Sequence, residues 1–104
     1  MDHERGTATL EWQSRKHLED HFDQHGHGVG TSTAEQYDAS ARALLVHPNS
    51  IDFRYVDRTT DLTRVGVYDP QSGLFTVLSD DDRWIINHLR VSQSYIYGLR
   101  RFRG

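Results

Sequence analysis

Four of the seven histidines lie within eleven positions of the chain. They are His17, His21, His25 and His27. In a helix, a spacing of four residues places the first three along one side, each rotated about 40° from the one before it. An imidazole has an ordinary pKa of about 6.5, so it can accept or donate a proton near neutral pH. This spacing indicates a candidate site for proton-transfer chemistry.

Three interpretations of this spacing remain open. The histidines can be solvated helix residues that flank a core contact made by Leu18 and Phe22. Two imidazoles four residues apart on a helix can also bind one zinc ion. In that case His27 or His88 would have to complete the site, and the Glu of the HExxH zinc proteases is absent. The third interpretation is acid-base catalysis without a metal or any other cofactor.

Metal-free cleavage of RNA by its own 2′-hydroxyl needs three kinds of group. A base removes the hydroxyl proton, an acid protonates the leaving 5′-oxygen, and a cation or hydrogen-bond donors stabilise the charged phosphate. Histidine suits both proton roles, and arginine binds phosphate through two parallel N–H groups. A histidine pair on a helix that faces an arginine-bearing strand would provide all three.

The basic residues are concentrated at the C-terminal end, although the net charge is −3. Residues 1–50 hold eight acidic residues against four Lys or Arg, whereas residues 90–104 hold no acid. The arginines there are Arg90, Arg100, Arg101 and Arg103. Tyr95 and Tyr97 lie among them and could either stack on bases or cover a sheet face. A polyanion is therefore expected to meet this end.

Two helices are predicted in the N-terminal half. Leu18, His21, Phe22 and His25 follow the i, i+3, i+4, i+7 spacing of one helical face, which predicts a helix over about residues 14–25 that Gly26 ends. A glycine-rich loop follows, and its lack of a Lys and its position between helices argue against a phosphate-binding loop.

The second helix is expected over about residues 33–46. Ser32 and Glu35 have the spacing of a capping box at its start. Its apolar stripe is formed by Ala34, Tyr37, Ala41, Leu44 and Leu45, and His47-Pro48-Asn49 ends it.

After residue 50 the apolar period changes from 3.6 to 2, which predicts strands around Ile51, Val65, Leu74 and Trp84. Residues 68–73, YDPQSG, are typical of a hairpin turn. Strands so close along the chain must pair antiparallel. The predicted fold class is α+β, with two N-terminal helices followed by a twisted antiparallel sheet of three to five strands and no third long helix. A single core is expected, with these members: Phe22, Tyr37, Leu44, Phe53, Val67, Phe75 and Ile85.

The length of 104 residues predicts one domain, with residues 1–12 as an extended arm or short strand. Cysteine is absent, so disulfides and thiolate metal sites are excluded. No stretch approaches the roughly 20 apolar residues of a membrane span, so we expect a soluble protein with no membrane partner. That expectation leaves open whether the chain is part of a secreted effector.

Several short strings resemble one family of nucleases. Leu18-x-x-His21-Phe22-x-x-His25-Gly26, followed by a capped helix, is similar to the "LxxHFxKHGxxFG" opening of bacterial and phage-associated toxin domains. Residues 67–77, with the sequence VYDPQSGLFTV, resemble the "vYDPxxnxFxV" hairpin of the same domains, and residues 85–90 fall in register with the strand that follows it. These domains belong to the group of barnase, EndoU, colicin-type and RelE-like nucleases. The resemblance covers about residues 18–97.

The resemblance implies a metal-independent ribonuclease that acts in the bacterial cytoplasm, often on tRNA, and is restrained by an immunity protein or antitoxin. Residue by residue, His21 and His25 match the family's paired histidines and Arg90 its basic strand residue. Gln24 stands where the family has Lys and Asn87 where it has Thr, which leaves an inactive relative as an alternative.

The leading hypothesis is an endoribonuclease in which His21 and His25 transfer protons, Arg90 holds the phosphate and Asn87 assists. The residues expected to contact substrate are Arg64, His17, Tyr95, Tyr97, Arg100 and Arg101. The alternatives are an inactive RNA- or protein-binding module and a small metal-binding protein that uses the histidines.

Overall fold

The computed structural model describes residues 10–101, and it shows an α+β fold of three helices and one five-stranded sheet in that range. In chain order the elements are β1 (Glu11–Trp12), α1 (Arg15–His25), α2 (Ala34–Leu45), β2 (Ile51–Val56), β3 (Thr63–Tyr68), β4 (Leu74–Ser79), β5 (Trp84–Arg90) and α3 (Gln93–Arg101). The two predicted helices and the four predicted strands are confirmed. Residues 1–9 of the expected arm lie outside the described range, as do Phe102 and Arg103.

The sheet has the strand order β1-β5-β4-β3-β2. Strands β2 to β5 form an antiparallel meander, as the short connections require. Strand β1 pairs parallel with β5, where Trp12 lies opposite Ile85. The prediction of a purely antiparallel sheet was therefore wrong at this edge. Strands β1 and β5 are connected by most of the domain rather than by a hairpin, and such a long connection allows a parallel pair.

Both N-terminal helices begin at hydroxyl caps. The Ser14 side chain accepts a hydrogen bond from the His17 backbone N–H at the start of α1. Helix α2 is capped by Thr33, which accepts from the Gln36 backbone N–H, and not by Ser32 as the capping-box spacing predicted. The Gln36 side chain instead accepts from the Ser32 backbone N–H at 2.8 Å, so the box is displaced by one residue.

Gly26 ends α1, as expected, but with right-handed backbone angles (φ −57°, ψ −44°). The reason for glycine is the close approach of an aromatic ring, since a Cβ here would come within 2.2 Å of the Phe22 ring. In the β3–β4 hairpin the predicted turn is confirmed, and Gly73 has φ +81°, a region that glycine adopts without steric cost.

The sheet buries both of its faces. Helices α1 and α2 cover one face, where Tyr37, Leu44 and Leu45 pack on Val67 and Ile85. Helix α3 covers the other face, where Ile96 joins a second cluster with these residues: Phe53, Tyr55, Tyr68, Phe75 and Val77. The expected single core was wrong, because Phe53 and Phe75 belong to the second cluster. Adjacent residues of a strand point to opposite faces, so a sheet covered on both sides has two cores.

The third helix is the main departure from the predicted architecture. Gln93–Arg101 forms α3, so helices are not confined to the N-terminal half. Tyr95 and Tyr97 therefore do not alternate across a strand. Both are exposed on α3, at 48% and 64%, while Ile96 is buried. Among residues 10–101 no helix is long and apolar enough to cross a bilayer.

Candidate functional site

Three half-buried imidazoles form a row along α1, and we call His17, His21 and His25 the histidine row. The ring centroids of His17 and His21 are 4.5 Å apart in an edge-to-face arrangement, and those of His21 and His25 are 6.1 Å apart. The helical spacing predicted this arrangement. Phe22, on the adjacent face of the helix, packs on the α1–α2 core and so holds the row at the border between core and solvent.

Trp12 of β1 supports one end of the row. Its ring lies 5.6 Å from the His17 ring and 5.9 Å from the His21 ring. The indole Nε1 donates a 2.9 Å hydrogen bond to Asp38 on α2, which fixes the ring between the two helices. The sequence analysis did not identify Trp12 as a site residue, because its contact with α1 depends on the parallel pairing of β1 with β5.

A β-bulge in β5 brings Asn87 to the histidine row. Val77 pairs with Asn87 and Leu78 pairs with Ile85, so Ile86 is an extra residue in β5. Strict alternation would have placed Asn87 on the face opposite His88. The bulge turns the Asn87 side chain toward α1, where its Oδ1 lies 2.8 Å from Nδ1 of His21.

The hydrogen bonds of Asn87 assign the tautomer of His21. Oδ1 of Asn87 accepts a 2.9 Å hydrogen bond from the His88 backbone N–H, so this atom is the amide oxygen. The same oxygen faces Nδ1 of His21, so that nitrogen must carry the proton of the contact. In the neutral ring Nε2 is then unprotonated and able to accept a proton.

The two outer histidines of the row are held in a largely uncharged state near neutral pH. Burial is the main cause that lowers the pKa of His25, and a charge on His21 lowers it further. Burial and His21 lower the pKa of His17 in the same way, against an opposing effect of the Ile86 carbonyl and Asp20. Simultaneous protonation of neighbouring imidazoles is therefore disfavoured, because a positive charge on one ring opposes a second positive charge beside it.

Arg90 lies at the end of β5, on the face of the sheet that α1 and α2 cover. Its Nε donates a 2.9 Å hydrogen bond to the Gly28 carbonyl, and its Nη1 donates to the Ser72 carbonyl. The loop that Arg90 contacts is continuous with the end of α1, since the Val29 N–H donates to the His25 carbonyl. Nη2 has no partner within residues 10–101 and remains available to an anion.

His88 lies beneath this surface and is fully buried. Its Nε2 lies 2.8 Å from the Ser40 hydroxyl, and its Nδ1 lies 2.9 Å from the Thr76 hydroxyl and 3.2 Å from the Phe75 carbonyl. Burial lowers the pKa of His88 to about 4, with smaller contributions from His25 and Arg90.

The histidines do not assemble into a metal site in the part of the chain that the structure describes. No group of three His, Cys, Asp or Glu side chains there is arranged to hold a metal ion. His88, one candidate to complete such a site, has both ring nitrogens engaged in hydrogen bonds. His27, the other candidate, is exposed in the loop after α1.

The structure brings five of the ten expected site residues together and places the others elsewhere. His17, His21, His25, Asn87 and Arg90 share the α1–β5 surface. Arg64 pairs with Ser79, whereas Arg90 pairs with Leu74, five residues away on β4. At roughly 3.4 Å per residue their backbones are about 17 Å apart, too far for one phosphate. The remaining four are on α3, beyond the opposite sheet face: Tyr95, Tyr97, Arg100 and Arg101.

The α1–β5 surface thus offers a proton acceptor of defined tautomer, two further imidazoles and an arginine whose Nη2 has no partner among residues 10–101. Comparison of the chain with protein-family models, with curated proteins and with solved structures found no match.

Proposed function

We propose that this protein is a metal-independent endoribonuclease that cleaves RNA by attack of the 2′-hydroxyl. The observation that carries the proposal is the Asn87–His21 contact, which leaves Nε2 of the neutral His21 ring as a proton acceptor on the half-buried histidine row. A neutral imidazole in a fixed orientation is the group that proton abstraction from a sugar hydroxyl requires.

In the proposed reaction Nε2 of His21 takes the proton from the 2′-hydroxyl. The 2′-oxygen attacks phosphorus, the bond from phosphorus to the 5′-oxygen breaks, and a protonated His25 delivers its proton to that oxygen. The products are a 2′,3′-cyclic phosphate and a free 5′-hydroxyl. Nη2 of Arg90 is the donor for the phosphate charge. Because burial lowers the pKa of His25, its acid form is scarce at pH 7 and cleavage should be faster at mildly acidic pH.

One observation favours a second candidate, an inactive relative that binds RNA or protein. Arg90 uses two of its nitrogens to connect the α1–α2 loop with the hairpin, which is a structural role. A guanidinium held this way offers a phosphate one nitrogen rather than a bidentate pair. The resemblance to toxin nucleases adds the further proposal of tRNA as substrate and an immunity protein or antitoxin as partner.

The proposal is tested by incubating the purified protein with total bacterial RNA and with tRNA in the presence of EDTA. We expect discrete fragments with 2′,3′-cyclic phosphate ends at mildly acidic pH. His21→Ala and His25→Ala should each reduce the cleavage rate by about 10²-fold or more, the effect expected for a general acid or base.

His27→Ala is the matched control, because this exposed histidine follows α1 but is not in the row. It should leave the rate unchanged. Full activity in the His21, His25 double variant would contradict the assignment. Cleavage that stops with EDTA and returns with zinc or magnesium would favour metal catalysis. RNA binding without cleavage would favour the second candidate.

A further inference from the structure

A groove of about 410 Å³ lies on the sheet face opposite the histidine row, between α3 and the β2–β3 connection. Its size is within the range of small-ligand sites, roughly 300–1,000 Å³. The residues that line it are Tyr55, Asp57, Arg58, Thr59, Ser94, Tyr95, Gly98 and Leu99. The groove thus combines aromatic rings, hydroxyls and one charge of each sign.

The Tyr55 hydroxyl is a hydrogen-bond donor with no partner among residues 10–101. The residue is only 8% exposed, and its hydroxyl bonds to no other residue of the described chain. Burial raises the pKa of Tyr55, with Tyr95 and Asp57 contributing, so the hydroxyl stays protonated. The hydroxyl oxygen itself keeps contact with solvent, so a ligand in the groove can accept its hydrogen bond in place of water.

Asp57 places a fixed acceptor beside this donor. Its Oδ1 accepts hydrogen bonds from the Thr59 and Thr60 backbone N–H groups at 2.8 and 3.4 Å, which fixes the side chain. Its Oδ2 has no partner in residues 10–101. Asp57 and Tyr55 both line the groove. The groove therefore presents one hydroxyl donor and one carboxylate acceptor.

Gly98 leaves open space at the groove wall. Glycine within a helix is about 1 kcal/mol less favourable than alanine. A Cβ placed here would nevertheless meet no atom of residues 10–101 within 4 Å, apart from its chain neighbours and the backbone of its own helix. Packing within the described chain thus gives no reason for glycine. The Gly98 carbonyl accepts a 3.4 Å hydrogen bond from Arg58, which connects the β2–β3 turn to α3 across the groove.

We propose that this groove is a binding site for a purine nucleotide. The Tyr55 hydroxyl and the Asp57 carboxylate both line the groove, where they can pair with an acceptor and a donor on the edge of a base. A purine offers a larger ring area than a pyrimidine for stacking on an aromatic side chain. The Tyr95 ring, half exposed beside them, offers a face for stacking. Arg58 at the rim supplies a cation for the phosphate.

This site is separate from the proposed ribonuclease centre. The sheet lies between the two, and none of the eight lining residues belongs to the histidine row or to β5. A nucleoside 5′-monophosphate has no internucleotide bond, so its binding is measurable whether or not the protein cleaves RNA.

The test is titration of the ¹⁵N-labelled protein with GMP and AMP, followed by NMR. We expect saturable shifts of the Gly98, Tyr55 and Thr59 amides with at least one of the two purine nucleotides. UMP should bind more weakly because its ring has less area to stack. Ribose 5-phosphate should bind at least about tenfold more weakly if the base is recognised.

Three variants separate recognition from folding. Tyr55→Phe removes only the hydroxyl, and Asp57→Asn keeps the Oδ1 acceptor that holds the turn. Each should weaken nucleotide binding about tenfold, as expected for one lost hydrogen bond. Gly98→Ala should raise Tm by about 4 °C while weakening binding, because its methyl group enters the groove. Gln93→Ala, exposed on the same helix but outside the groove, is the control.

The proposal is overturned if neither GMP nor AMP shifts these amides at millimolar concentration. It is equally overturned if ribose 5-phosphate binds as tightly as the nucleotides, or if all variants retain wild-type affinity. A Gly98→Ala variant with a higher Tm and weaker nucleotide binding would support the proposal that glycine keeps the groove open for a ligand.

Discussion

At the scale of single residues, Asn87 orients His21 without adding charge. A carboxylate in this position would fix the same tautomer and would also stabilise the imidazolium. The amide fixes it through a neutral oxygen that is itself held by the His88 backbone N–H at 2.9 Å. The contact therefore sets which nitrogen of the neutral ring is unprotonated without placing a negative charge beside it.

Replacement of Asn87 by Ala should release the His21 ring. We expect ¹⁵N NMR of the imidazole to show Nδ1 protonated in the wild type and a mixture of tautomers in Asn87→Ala. Loss of such an orienting contact should reduce cleavage by about 10-fold to 100-fold. Asn87→Asp retains the acceptor and should retain the Nδ1-protonated form. An unchanged spectrum in Asn87→Ala would show that Asn87 does not set the tautomer.

At the scale of the elements, β3 accommodates two aromatic rings over a single glycine. The Phe53 and Phe75 rings stack with centroids 6.0 Å apart and an interplanar angle of 10°. Both contact the position above Gly66, where a Cβ would lie 2.7 Å from the Phe75 ring and 3.0 Å from the Phe53 ring. The absence of a side chain allows β2, β3 and β4 to share one aromatic cluster under α3.

Gly66→Ala should therefore destabilise the protein even though alanine is the better strand residue in isolation. The methyl group forces two packed rings apart, and overpacking of this kind costs about 1–3 kcal/mol. Urea unfolding monitored by circular dichroism measures the change in the free energy of unfolding. Gly98→Ala is the matched control, since its Cβ meets no side chain of residues 10–101 within 4 Å, and it should change stability in the opposite direction. If Gly66→Ala leaves the free energy of unfolding unchanged, the Phe53 and Phe75 rings can move apart without cost.

The elements also show what the sequence could predict. Helices α1 and α2 and strands β2 to β5 follow from apolar spacing and turn residues, because those signals are local. Helix α3 was missed because Tyr95 and Tyr97 alternate with Ile96 as they would in a strand, and Gly98 weakens the helical pattern. The Ile96 and Leu99 pair, spaced by three, was the available helical signal.

The candidate site was predictable only where its residues are close together along the chain. The histidine row depends on spacing within one helix, so its residues were found. The approach of Asn87 depends on a bulge at Ile86, and the Trp12 contact depends on a parallel pairing with β5. The Asn87–His21 contact and the Trp12–Ile85 pairing each join residues more than sixty positions apart, and spacing along the chain does not encode such contacts.

At the scale of the whole molecule, His88 couples folding to protonation. It lies between α2 and the sheet, and the Tyr37 hydroxyl donates to its carbonyl while Ser40 and Thr76 contact its ring. The folded protein binds a proton there only near pH 4, whereas an unfolded chain binds one near pH 6.5. Between these values the unfolded state holds more protons, so stability falls as pH falls.

Wild-type protein should accordingly lose about 3 kcal/mol of unfolding free energy between pH 7 and pH 4 through His88 alone, because burial lowers its pKa by somewhat more than two units. The lowered pKa values of His17 and His25 act in the same direction. Hydrogen bonds lower the pKa values of the Asp69 and Asp81 carboxylates, so their protonation reduces stability only at still lower pH.

Urea unfolding at pH 7, 6, 5 and 4.5 measures the loss of stability over the pH range in which these histidines become protonated. His88→Gln should be less stable at pH 7 yet show a flatter dependence, whereas His27→Ala should keep the wild-type slope. Stability that stays constant from pH 7 to 5 in the wild type would mean that His88 is protonated without loss of its contacts.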